Sequence, residues 1–264
     1  MYANETQAFK ELPVVIAQIT DCHLFADKSG LHFGQNVYAN LTKVLLEIAD
    51  NSSINCLFFT GDLSQDHSEK SYQNFADCVD ECGITLPVYY LAGNHDDPVL
   101  MAKYLSGTPF QANKTINLQN WQIQLVDSKT QTPSGLVSEQ ALSTLKNAIA
   151  EDKHQLLMMH HHPIDVGYFI DKHGLQNKDE FWQVLDQYSN IKGIACGHVH
   201  NAMTLTSSTR QAVTLHTCPA TSVQFDPNIK GVGILAQGPA YQLFTLYFEG
   251  KLVNDVVQLA FVEN

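Results

Sequence analysis

Five short apolar runs stand out in the sequence, and each gives way at once to side chains bearing oxygen or nitrogen ligands. Val14-Val15-Ile16-Ala17-Gln18-Ile19 leads into Asp21 and His23, and Cys56-Leu57-Phe58-Phe59 into Gly61-Asp62. Val88-Tyr89-Tyr90-Leu91 leads into Gly93-Asn94-His95-Asp96. Gln155-Leu156-Leu157-Met158-Met159 leads into His160-His161-His162-Pro163, and Ile191-Lys192-Gly193-Ile194-Ala195-Cys196 into Gly197-His198-Val199-His200. Apolar runs this short, bounded by turn residues, read as buried strands. Alternating with helical segments, they predict an α/β fold that brings its polar strand ends to one edge of a sheet, where such folds bind ligands.

Taken singly, each tail is equally well a polar turn or a structural histidine. Together they form a set of oxygen and nitrogen donors without a thiolate, which points to two metal ions. Asp21 and His23 lie one residue apart and share a face if the segment is extended; His198 and His200 repeat that spacing. Asp62 has two carboxylate oxygens and can hold two cations a few Å apart, while Gly61 lets the backbone turn tightly before it. Asn94 offers a neutral amide oxygen, and His95 a nitrogen that can carry a proton. In the triple histidine, His160 and His162 share a face if the segment stays extended, and His161 takes the other. Asp66 and His67, on the loop after Asp62, read as turn and supporting residues. Two dications held by two Asp carboxylates, one Asn and several neutral imidazoles stay under-neutralised. Such a site attracts a phosphate anion and acidifies a bridging water towards hydroxide near neutral pH.

The bulk properties narrow the classes. Net charge is −12 over 264 residues, and Arg210 is the single arginine. The basic stripe of a nucleic-acid binder is missing, so no nucleic-acid partner is expected. No apolar run approaches the ~20 residues of a membrane span, and the polar stretch from Met1 to Leu12 lacks the apolar core of a secretory signal. The cysteines Cys22, Cys56, Cys78, Cys82, Cys196 and Cys218 are scattered and form no C-x-x-C pair. They are expected to be reduced, structural thiols in a cytoplasmic protein. No repeat or linker divides the chain, so residues 1–264 are expected to form one domain, monomeric or homodimeric.

Amphipathic spacing predicts helices over Asn36 to Ala49 and about Glu69 to Cys82, with a helix-like piece soon after residue 101. A hairpin joins residues 115–118 to 121–126 across Gln119-Asn120, and Ser138 is placed to cap a helix. Residues 164–178 form a long loop whose Tyr168 and Phe169 either pack the loop down, the favoured reading, or stack on a substrate base. A helix carrying Phe181, Val184, Leu185 and Tyr188 follows. Strands are expected at residues 213–216, 243–248 and 252–259, the last two joined at Glu249-Gly250.

The order D-x-H, G-D, G-N-H-D, H-x-x-P and G-H-x-H resembles the calcineurin-like metallophosphoesterases across roughly residues 14 to 200. Ile19 to Phe25, Gly61 to Asp66, His160 to Pro163 and Val223-Gln224-Phe225 narrow the likeness to the bacterial class III cyclic-nucleotide phosphodiesterases. The resemblance implies a four-layer α/β/β/α sandwich with mixed sheets. It implies one metal on Asp21, His23, Asp62 and His200, and a second on Asp62, Asn94, His160 and His198, with iron, manganese or zinc as the ions. It places His23, Asn94, His95 and His200 against the substrate, with His95 as the non-ligand histidine beside the leaving group. The implied reaction is hydrolysis of a 3′,5′-cyclic nucleotide, cyclic AMP to 5′-AMP, by in-line attack of a metal-bridging hydroxide while His95 assists the leaving 3′ oxygen. A glycerophosphodiester or a nucleotide-sugar lipid is the alternative substrate for the same site. A non-catalytic scaffold on this fold would be expected to have lost ligands or His95, and all are present.

Overall fold

A computed structural model describes residues 12–207 and 213–261; most of the polar amino-terminal stretch and Arg210 lie outside the described residues. In chain order the elements are β1 (Val14–Ile19), a small hairpin of β2 (Leu31–His32) and β3 (Gln35–Asn36), α1 (Val37–Asp50), β4 (Ile54–Phe59), α2 (Glu69–Glu81), β5 (Val88–Tyr90), α3 (Pro98–Tyr104) and β6 (Phe110–Gln111). Then come β7 (Thr115–Leu118), β8 (Trp121–Val126), α4 (Glu139–Ala148), β9 (His154–Met159), a 3-10 turn (Phe169–His173), α5 (Lys178–Leu185), β10 (Ile191–Cys196), β11 (Met203–Thr206), β12 (Thr214–Thr217), β13 (Ala240–Leu246) and β14 (Leu252–Gln258).

Local chemistry sets most of these boundaries. The Asn36 side chain accepts the Ala39 N–H and starts α1, which buries Val37, Leu41, Val44, Leu45 and Ile48 along one stripe. Ser68 and Ser138 cap α2 and α4 in the same way. Gln119 at φ 52° turns the β7–β8 hairpin, pairing Leu118 with Trp121. Tyr188 falls beyond the end of α5.

Two six-stranded sheets result, ordered β14-β13-β1-β4-β5-β6 and β11-β12-β10-β9-β8-β7. In the first, β1, β4, β5 and β6 are parallel, β13 runs antiparallel beside β1, and β14 pairs antiparallel with β13. In the second, β8, β9, β10 and β12 are parallel, with β7 and β11 as antiparallel edges. Ile16, Phe58 and Phe244 of the first sheet bury against Trp121, Leu156 and Met158 of the second. The outer face of the first sheet packs on α1 and α2 through Ile19, Phe59, Leu41 and Phe75, and that of the second on α5 through Leu157, Ile194 and Phe181. The layers therefore run α/β/β/α with mixed sheets. Because β1, β4, β5, β9 and β10 are parallel within their sheets, the polar tails of each sheet leave from its C-terminal edge, the ligand edge of an α/β sheet. All six cysteines are buried and free. No helix among the described residues is long and apolar enough to cross a membrane.

Candidate metal centre

The five strand ends meet. Asp21, His23 and His200 present ligand atoms within 4.8 Å of one another, as do Asp21, Asp62 and His160, and also His23, Asp62 and His95. The loops after β1 and β4 are zipped together, Asp21 N–H donating to the Gly61 carbonyl at 2.9 Å and His23 N–H to that of Asp62 at 3.1 Å. His198 N–H reaches across from the second sheet to Asp21 Oδ2 at 2.9 Å. Asp21, His23, Asp62, His198 and His200 all have φ between 48° and 68°, a region that side-chain-bearing residues enter at a cost and that clusters at functional sites. These segments are therefore tight turns. Asp21 and His23, and His198 and His200, are brought together by curvature rather than by extended alternation. The triple histidine is not extended either. His160 faces Asp62 and Asn94, while His162 turns to Asp171 at 3.2 Å.

Hydrogen bonds fix which nitrogen of each ring is free. His160 Nδ1–H donates to the Thr60 carbonyl at 2.8 Å, and His200 Nδ1–H to that of Val223 at 2.9 Å. Both rings thus turn Nε2 inward, an orientation typical of metal-bound imidazoles. Asp21 Oδ1 is buried without a hydrogen bond and lies 3.1 Å from His200 Nε2 and 3.9 Å from His23 Nε2. The His23 and His200 Nε2 atoms are themselves 3.1 Å apart. His23 Nε2 also stands 3.8 Å from Asp62 Oδ2, while Asp62 Oδ1 lies 3.4 Å from His160 Nε2. His160 Nε2 is 3.1 Å from Asn94 Oδ1, and the buried His198 Nε2 has no partner. Lone pairs converging in a buried space are costly unless a cation lies between them, so the donor set fits bound metal. His161 is different: its Nε2–H donates to the Pro133 carbonyl and its Nδ1 accepts from the Ser128 hydroxyl, leaving neither nitrogen free.

Electrostatics point the same way. Burial opposes ionisation of Asp62, yet His160, His23 and His95 hold its carboxyl well below the usual carboxylate range. Asp21 is likewise lowered against its burial, by His200 and His160. Burial pushes His23 and His198 well below their ordinary range, towards the neutral form that ligates a metal. His160 is the exception, its burial outweighed by Asp62 and Asp21, which raise it to about 9.

The loop after β5 is held from below. Asp96 is buried and accepts the N–H groups of Asp62, Leu63 and Gly93, each at 2.8 Å. Burial and the Asp62 carboxylate push it up to about 7, against the pull of those donors. Gly93 packs so closely that a Cβ there would overlap Asp62 Oδ1. His67, expected to play a supporting part, gives Nδ1–H to the His95 carbonyl at 2.9 Å and stacks on the His95 ring. Asp66 closes its own turn by accepting from Ser68 and Ala26.

A cleft of about 240 Å³ opens over the cluster, lined by His23, Asp62, Asn94, His95, His198 and His200. Its outer walls hold residues the sequence analysis did not single out: His32 and Phe33 from the small hairpin, His173 and Ile170 from the 164–178 loop, and Val232. Phe225, noticed only as part of a family-like stretch, stacks on His200 with centroids 4.2 Å apart. Tyr168 and Phe169 do not line the cleft. The Tyr168 hydroxyl donates to the Val199 carbonyl, and Phe169 packs on Phe225 and the core of the second sheet. Of the two readings, the contacts match packing rather than stacking on a base: they pin the loop, and it reaches the cleft through Ile170 and His173.

Comparison with known proteins now defines the class. The sequence profile of the calcineurin-like phosphoesterases matches residues 14–202, and the chain belongs to that family. Membership implies divalent metal ions, which the carboxylate and imidazole clusters are able to bind. More particularly, the chain is 65% identical over 263 residues to a probable cyclic nucleotide phosphodiesterase of Colwellia psychrerythraea, covering 98% of this chain and 100% of that one. It is 34% identical over 256 residues to the 3′,5′-cyclic adenosine monophosphate phosphodiesterase CpdA of Escherichia coli K12, covering 95% and 91%. Among solved structures, a dimetal phosphatase from Danio rerio shares the fold with a TM-score of 0.69 at 13% identity, covering 96% of this chain and 100% of that one.

Proposed function

We propose that the chain is a dinuclear metal-dependent phosphodiesterase that hydrolyses 3′,5′-cyclic nucleotides, cyclic AMP to 5′-AMP. The observation that carries this reading is the convergence of ligand-type atoms from Asp21, His23, Asp62, Asn94, His160, His198 and His200 at the floor of one cleft, with Asp21 Oδ1 and His198 Nε2 buried and unpartnered among them. The names of the relatives support the substrate. Asp21, His23, Asp62 and His200 would hold one ion and Asp62, Asn94, His160 and His198 the other, with Asp62 common to both sets. Iron, manganese and zinc all suit such nitrogen and oxygen donors. When bound, the ions supply Lewis acidity towards the phosphoryl group and make water more acidic.

The chain's own residues do the rest. Asp62 and Asp21, kept ionised by the imidazoles around them, set the charge of the site. The Nδ1–H bonds of His160 and His200 lock those rings in orientation. His23, Asn94, His95 and His200 line the cleft where the phosphate would sit. His95 is half-buried there, and burial lowers its pKa against the opposing pull of the Asp62 carboxylate; its place in the cleft beside the cluster suits a proton donor to the departing 3′ oxygen, since an alkoxide leaves poorly without one. The chain would act as one domain, since its ligands come from both sheets. The six free, buried thiols support residence in the cytoplasm.

The test is turnover by purified protein loaded with Mn²⁺, comparing cyclic AMP, cyclic GMP and a glycerophosphodiester with and without chelator. Chelator-sensitive release of 5′-AMP as the preferred reaction is expected. Preference for the glycerophosphodiester would overturn the substrate while leaving the metal site standing.

A further inference from the structure

Phe33 occupies a conformation that its type avoids. It sits at φ 48°, followed by Gly34 at φ 81°, in the two-residue turn between β2 and β3. Successive positive φ values define the hairpin turn that normally takes Asn-Gly or Asp-Gly, and a bulky residue there is an outlier. The turn chemistry therefore does not account for a phenylalanine. Core packing does not account for it either, since Phe33 is 49% exposed.

Its position does. Phe33 lines the mouth of the cleft, and its ring meets His32 at 77° with centroids 4.6 Å apart. His32 in turn stacks nearly parallel on His23, 4.9 Å away at 9°. The exposed ring is thus propped, through one other ring, on a proposed metal ligand. The cleft, at about 240 Å³, is smaller than the ~300–1,000 Å³ typical of pockets that enclose a whole ligand. A nucleotide whose phosphate lies on the cluster must therefore carry its base out to the rim. There it meets Phe33 from the hairpin and Val232, itself 57% exposed, from the loop before β13.

We propose that Phe33 is the specificity-determining platform on which the nucleobase of the substrate stacks. This rests on the cyclic-nucleotide reading above and deepens it. Aromatic stacking is tolerant of base identity, so Phe33 would separate nucleotides from diesters lacking a base rather than adenine from guanine.

Phe33→Asn makes the test clean, because Asn is at home in this turn and the hairpin keeps or gains stability while the ring is lost. For cyclic AMP the variant is expected to raise KM by about 5- to 100-fold, the size of a lost base–aromatic stack, with kcat little changed. KM for the base-free cyclic ribose 3′,5′-phosphate should stay as in the wild type, and Phe33→Trp should restore the KM for cyclic AMP. Wild-type turnover of cyclic AMP with an unchanged KM in Phe33→Asn overturns the platform alone. An equal rise in KM for both substrates also overturns it, showing a general effect of the hairpin on the cleft. Failure of the wild type to hydrolyse any cyclic nucleotide overturns the platform and the functional reading together.

Discussion

His95 and Asp62 sit side by side yet should fail in different ways when altered. The His95 backbone N–H donates to Asp62 Oδ1 at 2.9 Å, so replacing only the side chain leaves that bond intact. His95→Gln is expected to lower kcat for cyclic AMP by ~10²–10⁴-fold, the usual worth of a general acid. The loss on bis(p-nitrophenyl) phosphate should be much smaller, because p-nitrophenolate departs without a proton. Equal losses on both substrates would remove the proton-donor role. Asp62→Asn, in contrast, withdraws the one carboxylate shared by both proposed ion sites. Metal analysis of the purified variant should find less than one ion per chain, and two ions retained would contradict the bridge. The ligand-type side chains were legible in the sequence because five buried strands end in them; any one such tail reads as well as a turn, and it is the repetition that carries the signal. His32, Phe33 and Val232 were not, because nothing in the local pattern tells an apolar or aromatic loop residue that lines a cleft from one that packs.

At the scale of elements, the long strands and capped helices were readable from periodicity and cap residues, as Asn36, Ser68 and Ser138 show. The two-residue strands of the hairpin and the edge strand β11 were missed. They bury too little surface to leave a periodic signal, and Phe33-Gly34 is not a turn pair that announces itself. The 164–178 loop shows a different limit: its aromatics were seen, but their direction depends on tertiary partners. Asp171 organises that loop, accepting the N–H groups of Val166 at 2.7 Å and Gly167 at 2.8 Å and facing His162 at 3.2 Å. Burial lowers the pKa of His162, against the opposing pull of Asp171. Burial would raise Asp171, but His162 and the two backbone donors bring it down to about 2. A carboxyl depressed in the folded state stabilises it fully above the unfolded pKa of ~3.9 and loses that contribution as pH falls through the folded value. Asp171→Asn should therefore cost about 1–2 kcal/mol at pH 6, a modest figure for charge-assisted bonds because the carboxylate is partly screened by solvent. The gap to the wild type should shrink as unfolding is measured towards pH 2. A gap unchanged down to pH 2 would show that the charge plays no part.

For the whole molecule, the notable fact is where the proposed ligand set comes from. Asp21, His23, Asp62 and Asn94 leave the first sheet, and His160, His198 and His200 the second. The two sheets are held together elsewhere by apolar contacts such as Phe58 and Phe244 against Trp121 and Met158. At the ligand edge, the interface is instead made of buried carboxylates and imidazoles. That edge is the weak side of the sandwich without metal, since it buries two carboxylates among imidazoles where the rest of the interface buries apolar side chains. Ions shared between ligands from the two sheets would join them there and stabilise the folded state by mass action. Free metal at about 100-fold over its dissociation constant adds ~2.7 kcal/mol per site, and each kcal/mol raises Tm by ~2–4 °C in a chain of this size. Adding Mn²⁺ to chelator-stripped protein is therefore expected to raise Tm by about 5–20 °C, depending on whether one site fills or both. His95→Gln should keep the full rise, and Asp62→Asn should lose most of it. The same Tm with and without metal, in protein shown by elemental analysis to have bound it, would mean that the ions do not tie the sheets together. The cluster would then be an edge decoration on a sandwich already complete through its apolar core.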